Sequence, residues 1–133
     1  MNVRWAIIAD DHIQDVRTGK NSLIGIFHNV GTPGFPSRHP KMSLVMQLEA
    51  SPMDRGKSRH IEVRLVDEDG QELMKLQGDI DVPSDTPVDQ AIPMVVAFEL
   101  NGVEFKGPGR HRFDIFVDGD PKNEVTFNVA PSP

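Results

Sequence analysis

Short runs of strictly alternating apolar and polar side chains constrain the fold of this sequence more than any other feature. Successive side chains of a β-strand point to opposite faces, so such a run predicts a strand with one face on an apolar core. No window of comparable length carries an apolar stripe at helical spacing that glycine or proline does not interrupt. Clean alternation covers residues 42–49, 60–65, 74–82 and 112–117, and residues 125–129 repeat it.

Turn residues separate these runs and predict where the chain reverses. Residues 68–70, Glu-Asp-Gly, predict a hairpin, because Asp-Gly tolerates the positive φ angles of tight turns. A reversal at residues 18–21 predicts an N-terminal hairpin. Its second arm, residues 23–27, is apolar on both faces and is therefore predicted to be a central strand. The spacing predicts eight or nine strands, with the remaining corners at residues 31–34, 51–56, 83–87, 107–109 and 118–121.

Short strands separated by turns at this spacing favour two antiparallel sheets packed face to face. We predict an all-β fold, an immunoglobulin-like antiparallel β-sandwich of about eight strands, with a jelly roll as the second choice. Gly109 opens the predicted penultimate strand, and His111 stands where immunoglobulin domains carry a corner tyrosine. Because 133 residues suit one undivided core, we predict a single β-sandwich domain over residues 1–133.

Composition argues against several classes of function. The chain has 14 Lys and Arg against 20 Asp and Glu, a net charge of −6, which disfavours a nucleic-acid partner. A basic loop at residues 55–60 lacks neighbouring aromatics and is predicted to be a solvated turn. The absence of cysteine removes disulfides, thiolate metal sites and thiol nucleophiles. No apolar run approaches the roughly 18 residues of a membrane helix, so we expect a cytoplasmic protein with no membrane partner and no cofactor.

Two groups of residues are candidates for binding a metal or a small molecule. His60 and Glu62 lie two positions apart on a predicted strand, so both side chains share one face, and imidazole with carboxylate suits several transition metals. Arg64 shares that solvent face and would repel a cation. We therefore assign no metal site. The second group, which could add ligands from another strand, comprises Asp10, Asp11 and His12.

The sequence contains no recognisable constellation of catalytic residues, and we predict that the chain is not an enzyme. The serines lie outside any nucleophile-elbow context. Residues 67–70 resemble the start of a calcium loop, but the glycine comes too early and no glutamate follows at the required distance. Residues 19–22 echo the end of a phosphate-binding loop that would need glycine in place of Gln14. His111 is predicted to be a hydrogen-bonded corner residue, and His39 a loop residue before Pro40.

Two apolar residues, Phe116 and Val45, occupy positions that are predicted to point away from the core. On one sheet they would form a patch for a protein partner or a second copy, unless the loop at residues 31–40 covers them with Phe35. The favoured function is a non-enzymatic interaction or assembly module that uses an outer sheet face or an unpaired edge strand. A small-molecule or metal-binding module is the alternative.

Four segments, residues 15–27, 35–40, 63–70 and 108–113, resemble a family of small bacterial proteins known only as a domain of unknown function. The resemblance covers nearly the whole chain. It rests on turn and strand motifs, so it implies a shared fold more strongly than any activity. It implies a bacterial, single-domain, all-β protein, and it brings no catalytic residues with it.

Overall fold

Strands, with one 3₁₀ helix at Pro52–Asp54, account for the regular structure of residues 1–85 and 89–132, the part of the chain that this computed structural model describes. Thr86 and Pro87 of the predicted corner at 83–87 lie outside the described residues. No helix within the two ranges is long and apolar enough to cross a membrane. The strands are β1 (Asn2–Gln14), β2 (Asn21–Ile26), β3 (Asn29–Thr32), β4 (Ser37–Ala50), β5 (Ser58–Val66), β6 (Glu72–Asp81), β7 (Ile92–Phe105), β8 (Gly109–Val117) and β9 (Asp120–Pro131).

The strands form two sheets that pack face to face. The four-stranded sheet has the order β2-β1-β4-β7, and the five-stranded sheet has the order β3-β9-β8-β5-β6. Neighbouring strands are antiparallel except β3 and β9, which run parallel. The predicted all-β sandwich is confirmed, with nine strands in the described residues. Its assignment to the immunoglobulin-like class stays a prediction.

The core lies between the sheets and is filled by the apolar positions of the alternating segments. Ile61, Val63 and Leu65 of β5 are at most 1% exposed, as their alternation predicts. Removal of this apolar surface from water is the main favourable contribution to folding. The largest fully buried side chains of the core are Phe105, Phe113, Phe127, Ile8, Met42, Leu44, Met46, Leu48, Ile61, Leu65, Leu100 and Ile115.

The turns follow from their residue types. Gly70 adopts a φ of +81° in the β5–β6 hairpin, where the Asp67 carboxylate accepts a hydrogen bond from the N–H of Asp69 at 3.0 Å. β8 begins at Gly109, whose carbonyl oxygen lies 2.9 Å from Nδ1 of His111. The predicted hairpin and the predicted hydrogen-bonded corner histidine are both confirmed.

β1 pairs with two different strands along its length. Its first part, up to Ala9, pairs with β4, and its last part, from Ala9 onward, pairs with β2. β2 is therefore an edge strand with β1 as its neighbour in the sheet. The prediction of a central strand at residues 23–27 is wrong, because the apolar side chains Ile24 and Ile26 face outward on an edge instead of lying between two layers.

Two predicted loop positions also lie in strands. Gly31 and Thr32, predicted to form a corner, belong to β3 and pair with β9. His39, predicted to lie in a loop before Pro40, belongs to β4 and pairs with Val103 of β7. Proline fits within β4 because β1 pairs with β4 only from residue 43 onward, so that the strand has a free side at Pro40.

Candidate interaction surface

The four-stranded sheet carries apolar side chains on the face that points away from the core. The register places Ile7 of β1, Val45 of β4 and Ala97 of β7 side by side on this face, while their sequence neighbours point into the core. β2 extends the same face beside Ala9. We call this surface the outer apolar face, and its large accessible members are Trp5, Ile7, Ile24, Ile26 and Val95, whereas Val45 on the same face is fully buried.

Exposed apolar side chains concentrate on the β1–β2 hairpin. Ile24 and Ile26 of β2 are 50% and 53% exposed, and Ile13 of β1 is 52% exposed. Val16 at the hairpin turn is also exposed, so that Met53 is the one large exposed apolar side chain elsewhere in residues 1–85 and 89–132. Single exposed apolar residues are ordinary, but a cluster on one element is typical of a docking surface.

Ion pairs flank the outer apolar face at both ends. Lys41 Nζ lies 2.9 Å from Asp11 Oδ1 and 3.9 Å from Glu99 Oε1, and the hydrogen bond to Asp11 raises the pKa of Lys41 above its ordinary value. At the other end, Arg4 Nη1 lies 3.0 Å from Glu49 Oε2. An apolar centre with a charged, solvated rim is the usual anatomy of a protein interface.

The predicted patch of Phe116 and Val45 is wrong, because the two residues lie on different sheets. Val45 belongs to β4 and is fully buried. Phe116 belongs to β8 in the five-stranded sheet, and the guanidinium of Arg64 lies 4.5 Å from the centre of its ring in a cation–π contact. Phe35, the predicted cover, packs against the main core. Phe116 is thus covered by a neighbouring strand's arginine.

His60 and Glu62 are engaged in separate polar contacts. Nδ1 of His60 lies 2.8 Å from Asp79 and Nε2 lies 3.2 Å from Gln77. The hydrogen bond to Asp79, with a smaller contribution from Gln77, raises the pKa of His60. Both ring nitrogens face oxygen acceptors, an arrangement that suits a charged imidazolium and not a metal ligand. Glu62 instead lies between Lys75 and Arg64, which lower the pKa of its carboxyl.

The second candidate group is divided between the two faces of β1. Asp11 points to the outer face and pairs with Lys41, whereas Asp10 lies against Gly25 on the opposite face. His12 bonds through Nε2 to the Asn21 side chain at 2.8 Å. In residues 1–85 and 89–132, no three His, Cys, Asp or Glu side chains are placed to hold a metal ion.

Asp54 is a buried carboxylate that the alternation pattern does not reveal. It is 5% exposed, and its Oδ1 accepts hydrogen bonds from Nε of Arg59, at 3.1 Å, and from Nη2 of the same side chain. Bonds from Arg59, and from the backbone and hydroxyl of Ser51, hold the pKa of Asp54 well below its ordinary value. Arg59 also approaches Asp118, so this arginine of the basic loop is already neutralised.

A cleft of about 270 Å³ opens between the β5–β6 and β7–β8 turns. Asp67, Glu68, Lys106 and the corner residue His111 line it. The His111 ring is 2% exposed and meets Phe105 edge-on, with 5.1 Å between ring centres. Its packing against Phe105 and its hydrogen bond to the Gly109 carbonyl indicate a structural role for His111 at this corner.

Sequence reasoning missed the outer apolar face. The sequence indicates this face at residues 23–27, where both sides of the segment are apolar, but the same pattern is also typical of a central strand, which is what we predicted. Trp5 and Ile7 lie in a continuous apolar run, residues 5–9, in which alternation is not visible. The structure shows that the run serves two faces, with Ile8 in the core and Ile7 on the outer side.

The chain matches a family model described as a family of unknown function (DUF6941) over residues 4–130. The chain belongs to DUF6941. No curated protein matches this DUF6941 chain in sequence.

Several solved structures are similar in part to the DUF6941 chain. The alkylpurine DNA glycosylase AlkC of Pseudomonas fluorescens, bound to DNA with an abasic site analogue, matches 77% of this chain and 26% of its own at 14% identity and a TM-score of 0.47. A putative β-galactosidase of Bacteroides fragilis matches 75% and 17% at 11% identity and a TM-score of 0.36. A glycosyl hydrolase family 2 member from Bacteroides cellulosilyticus matches 84% and 17% at 13% identity and a TM-score of 0.38. The DUF6941 chain thus spans about a quarter or less of the length of these proteins.

Proposed function

We propose that this chain is a non-enzymatic interaction module that docks a protein on the outer apolar face. The observation that carries the proposal is the position of the half-buried Trp5, Ile7 and Val95 on the sheet face that points away from the core, between two sets of ion pairs. Burial of such a face by a partner is favourable in the same way as burial of the core. The flanking charges would set the orientation of the partner more than its affinity.

The candidate metal ligands argue against the metal-binding alternative. The candidate ligands His60 and Glu62 are occupied by ion pairs, and Asp10 and Asp11 point to opposite faces of β1. No observation at these residues favours the small-molecule alternative over protein docking. The lack of cysteine supports, as part of the same proposal, a protein that works in a reducing compartment such as the cytoplasm.

A site-specific photo-crosslinker tests the docking surface in cells. Ala97 is exposed on β7 beside Val45, so a crosslinking side chain at this position reports on the face and not on the β2 edge. Met53, 80% exposed and outside the face, is the matched control. We expect one discrete protein adduct at Ala97, lost on Ile7→Glu, and none at Met53. Equal labelling at both positions, or no adduct at Ala97, would contradict the proposal.

A further inference from the structure

His111 has a buried ring nitrogen for which the fold supplies no partner. Its Nδ1 lies 2.9 Å from the carbonyl oxygen of Gly109 and, because a carbonyl only accepts, Nδ1 carries the proton of this hydrogen bond. Nε2 of the neutral ring is then an acceptor, and no residue in the ranges 1–85 and 89–132 donates a hydrogen bond to it. His111 is only 2% exposed. Since buried polar atoms nearly always have a partner, we expect a donor from outside the chain at Nε2.

A carboxylate lies at the same corner as this histidine. His111 lines the cleft of about 270 Å³ between the β5–β6 and β7–β8 turns, and as its buried residue it forms the inner end. Glu68 lines the cleft too, and its Oε2 lies 2.5 Å from the position that a Cβ of Gly109 would occupy. Glu68 forms no ion pair with the described residues. A carboxylate and an imidazole acceptor together suit an ammonium group, which has three donors.

Lys106 adds the opposite charge to the lining of the cleft. Within the part of the chain that the structure describes, its ammonium group has no carboxylate partner. Asp67 already accepts hydrogen bonds from two backbone N–H groups of its own turn, and Asp69 adds a further negative charge that favours the ammonium end of a ligand. Leu73 and Pro108 complete the lining with apolar surface. The volume is below the roughly 300–1,000 Å³ of most ligand pockets, so the cleft suits a small molecule.

We propose that this cleft binds a free α-amino acid with an apolar side chain. The ligand's ammonium group donates hydrogen bonds to Nε2 of His111 and to the carboxylate of Glu68, and its carboxylate pairs with Lys106. Its side chain contacts Leu73 and Pro108. The cleft shares no residue with the outer apolar face, so this inference goes beyond the proposed function and stands even if that face docks no protein.

An NMR titration with L-leucine tests the class of ligand. Leucine should shift the backbone amide resonances of the cleft residues and reach saturation. Two analogues separate its charges, because isoamylamine is leucine without the carboxylate and isocaproate is leucine without the ammonium group. Each analogue should bind at least tenfold more weakly than leucine. The absence of a saturable shift with leucine, or an analogue that binds as tightly as leucine, would overturn the proposal.

Charge-removing variants test the two residues that pair with the ligand. Glu68→Gln and Lys106→Gln change exposed side chains next to the cleft and should raise the leucine Kd at least tenfold with an unchanged Tm. The matched controls Glu99→Gln on β7 and Lys20→Gln before β2 remove the same charges at exposed positions outside the cleft, and should leave the Kd unchanged. Equal weakening by the controls would mean that net charge, and not the cleft, determines binding.

The ring nitrogens of His111 report on the inner contact directly. Long-range proton–nitrogen correlation spectra of the histidine rings distinguish a protonated from an unprotonated nitrogen. We expect a protonated Nδ1 and an unprotonated Nε2 in the free protein, and a shift of the Nε2 resonance toward that of a protonated nitrogen when leucine saturates the cleft. An Nε2 resonance that leucine leaves unchanged would show that the ligand does not reach His111, and would overturn the proposed contact.

Discussion

Asp54 connects three segments of the chain through one buried carboxylate. It accepts hydrogen bonds from the backbone N–H and the hydroxyl of Ser51, at 3.0 and 3.1 Å, and from Arg59 at the start of β5. The α-amino group of Met1 lies 3.7 Å away. A buried charge is tolerated when it is paired and its lone pairs are satisfied, as here, and removal of the charge leaves its partners uncompensated.

We expect Asp54→Asn to lower the free energy of unfolding by about 2–3 kcal/mol at neutral pH. Because the pKa of Asp54 is depressed in the folded state, its ionised form stabilises the fold fully at neutral pH, and this contribution is lost as the pH falls below about 4. The difference between wild type and Asp54→Asn in urea denaturation should therefore shrink with acid. Glu124→Gln, at an exposed position, should change stability by less than about 1 kcal/mol. A difference for Asp54→Asn that does not depend on pH would refute this account.

At the scale of the element, the β1–β2 hairpin depends on the contact between Gly25 and Asp10. Gly25 has a φ of +72°, and a Cβ at this position would lie 2.3 Å from Asp10 Oδ2. Gly19 at the hairpin turn has a similar φ of +73° but open space around it. The two glycines therefore separate the cost of backbone conformation from the cost of a side-chain clash.

We expect Gly19→Ala to destabilise the hairpin by roughly 1–2 kcal/mol, the cost of a left-handed backbone with a Cβ. Gly25→Ala should cost more, because the clash with Asp10 adds to the same conformational cost. Amide hydrogen exchange of β2 reports both effects. Asp10→Ala should remove the excess cost of Gly25→Ala. If the two alanine variants exchange alike, the steric explanation fails.

Strand β5 shows what alternation could predict. Ile61, Val63 and Leu65 were assigned to the core from their spacing alone, and they are buried. β7 was not recognised, because a glycine with a φ of +67°, Gly102, changes the side to which the strand's residues point. Leu100 and Val103, three positions apart, are both in the core as a result. The edge position of β2 depends on its neighbours in space, which periodicity cannot show.

Leu65 and Arg64 are adjacent residues on opposite faces of β5, so substitutions at the two positions should differ in their effect on stability. Leu65→Asp places an unpaired charge in the core and should destabilise by more than about 4 kcal/mol, most of the stability of a marginal domain, so that its Tm falls steeply or no cooperative transition remains. Arg64→Gln removes an exposed ion pair and the contact with Phe116, and should cost about 1 kcal/mol. Thermal unfolding followed by circular dichroism checks both. Similar Tm values for the two variants would be incompatible with the assigned faces.

At the scale of the whole molecule, both sheets contribute to one main core. Side chains from β4 and β7 of one sheet pack against those from β5, β8 and β9 of the other. Two layers that bury their apolar faces only against each other are expected to unfold together. The position of the single tryptophan, Trp5, in the four-stranded sheet makes this testable.

We expect the urea transition seen by Trp5 fluorescence to coincide with that seen by far-UV circular dichroism. Fluorescence follows the four-stranded sheet alone, whereas circular dichroism follows the strands of both sheets. Coincidence of the midpoints and slopes indicates one cooperative unit. An earlier fluorescence transition would show that the four-stranded sheet opens while the other persists.

The parallel pair of β3 and β9 determines how the fold would respond to mechanical tension. Its ladder is extended by bonds from the N–H of Asn128 to His28 and from the N–H of Ser132 to Thr32. If the chain is pulled from the segment before β3 and from the residues after β9, the two strands are drawn along each other in opposite directions. The evenly spaced bonds of a parallel ladder then carry the load together, in shear, instead of opening one by one as in an unzipping hairpin.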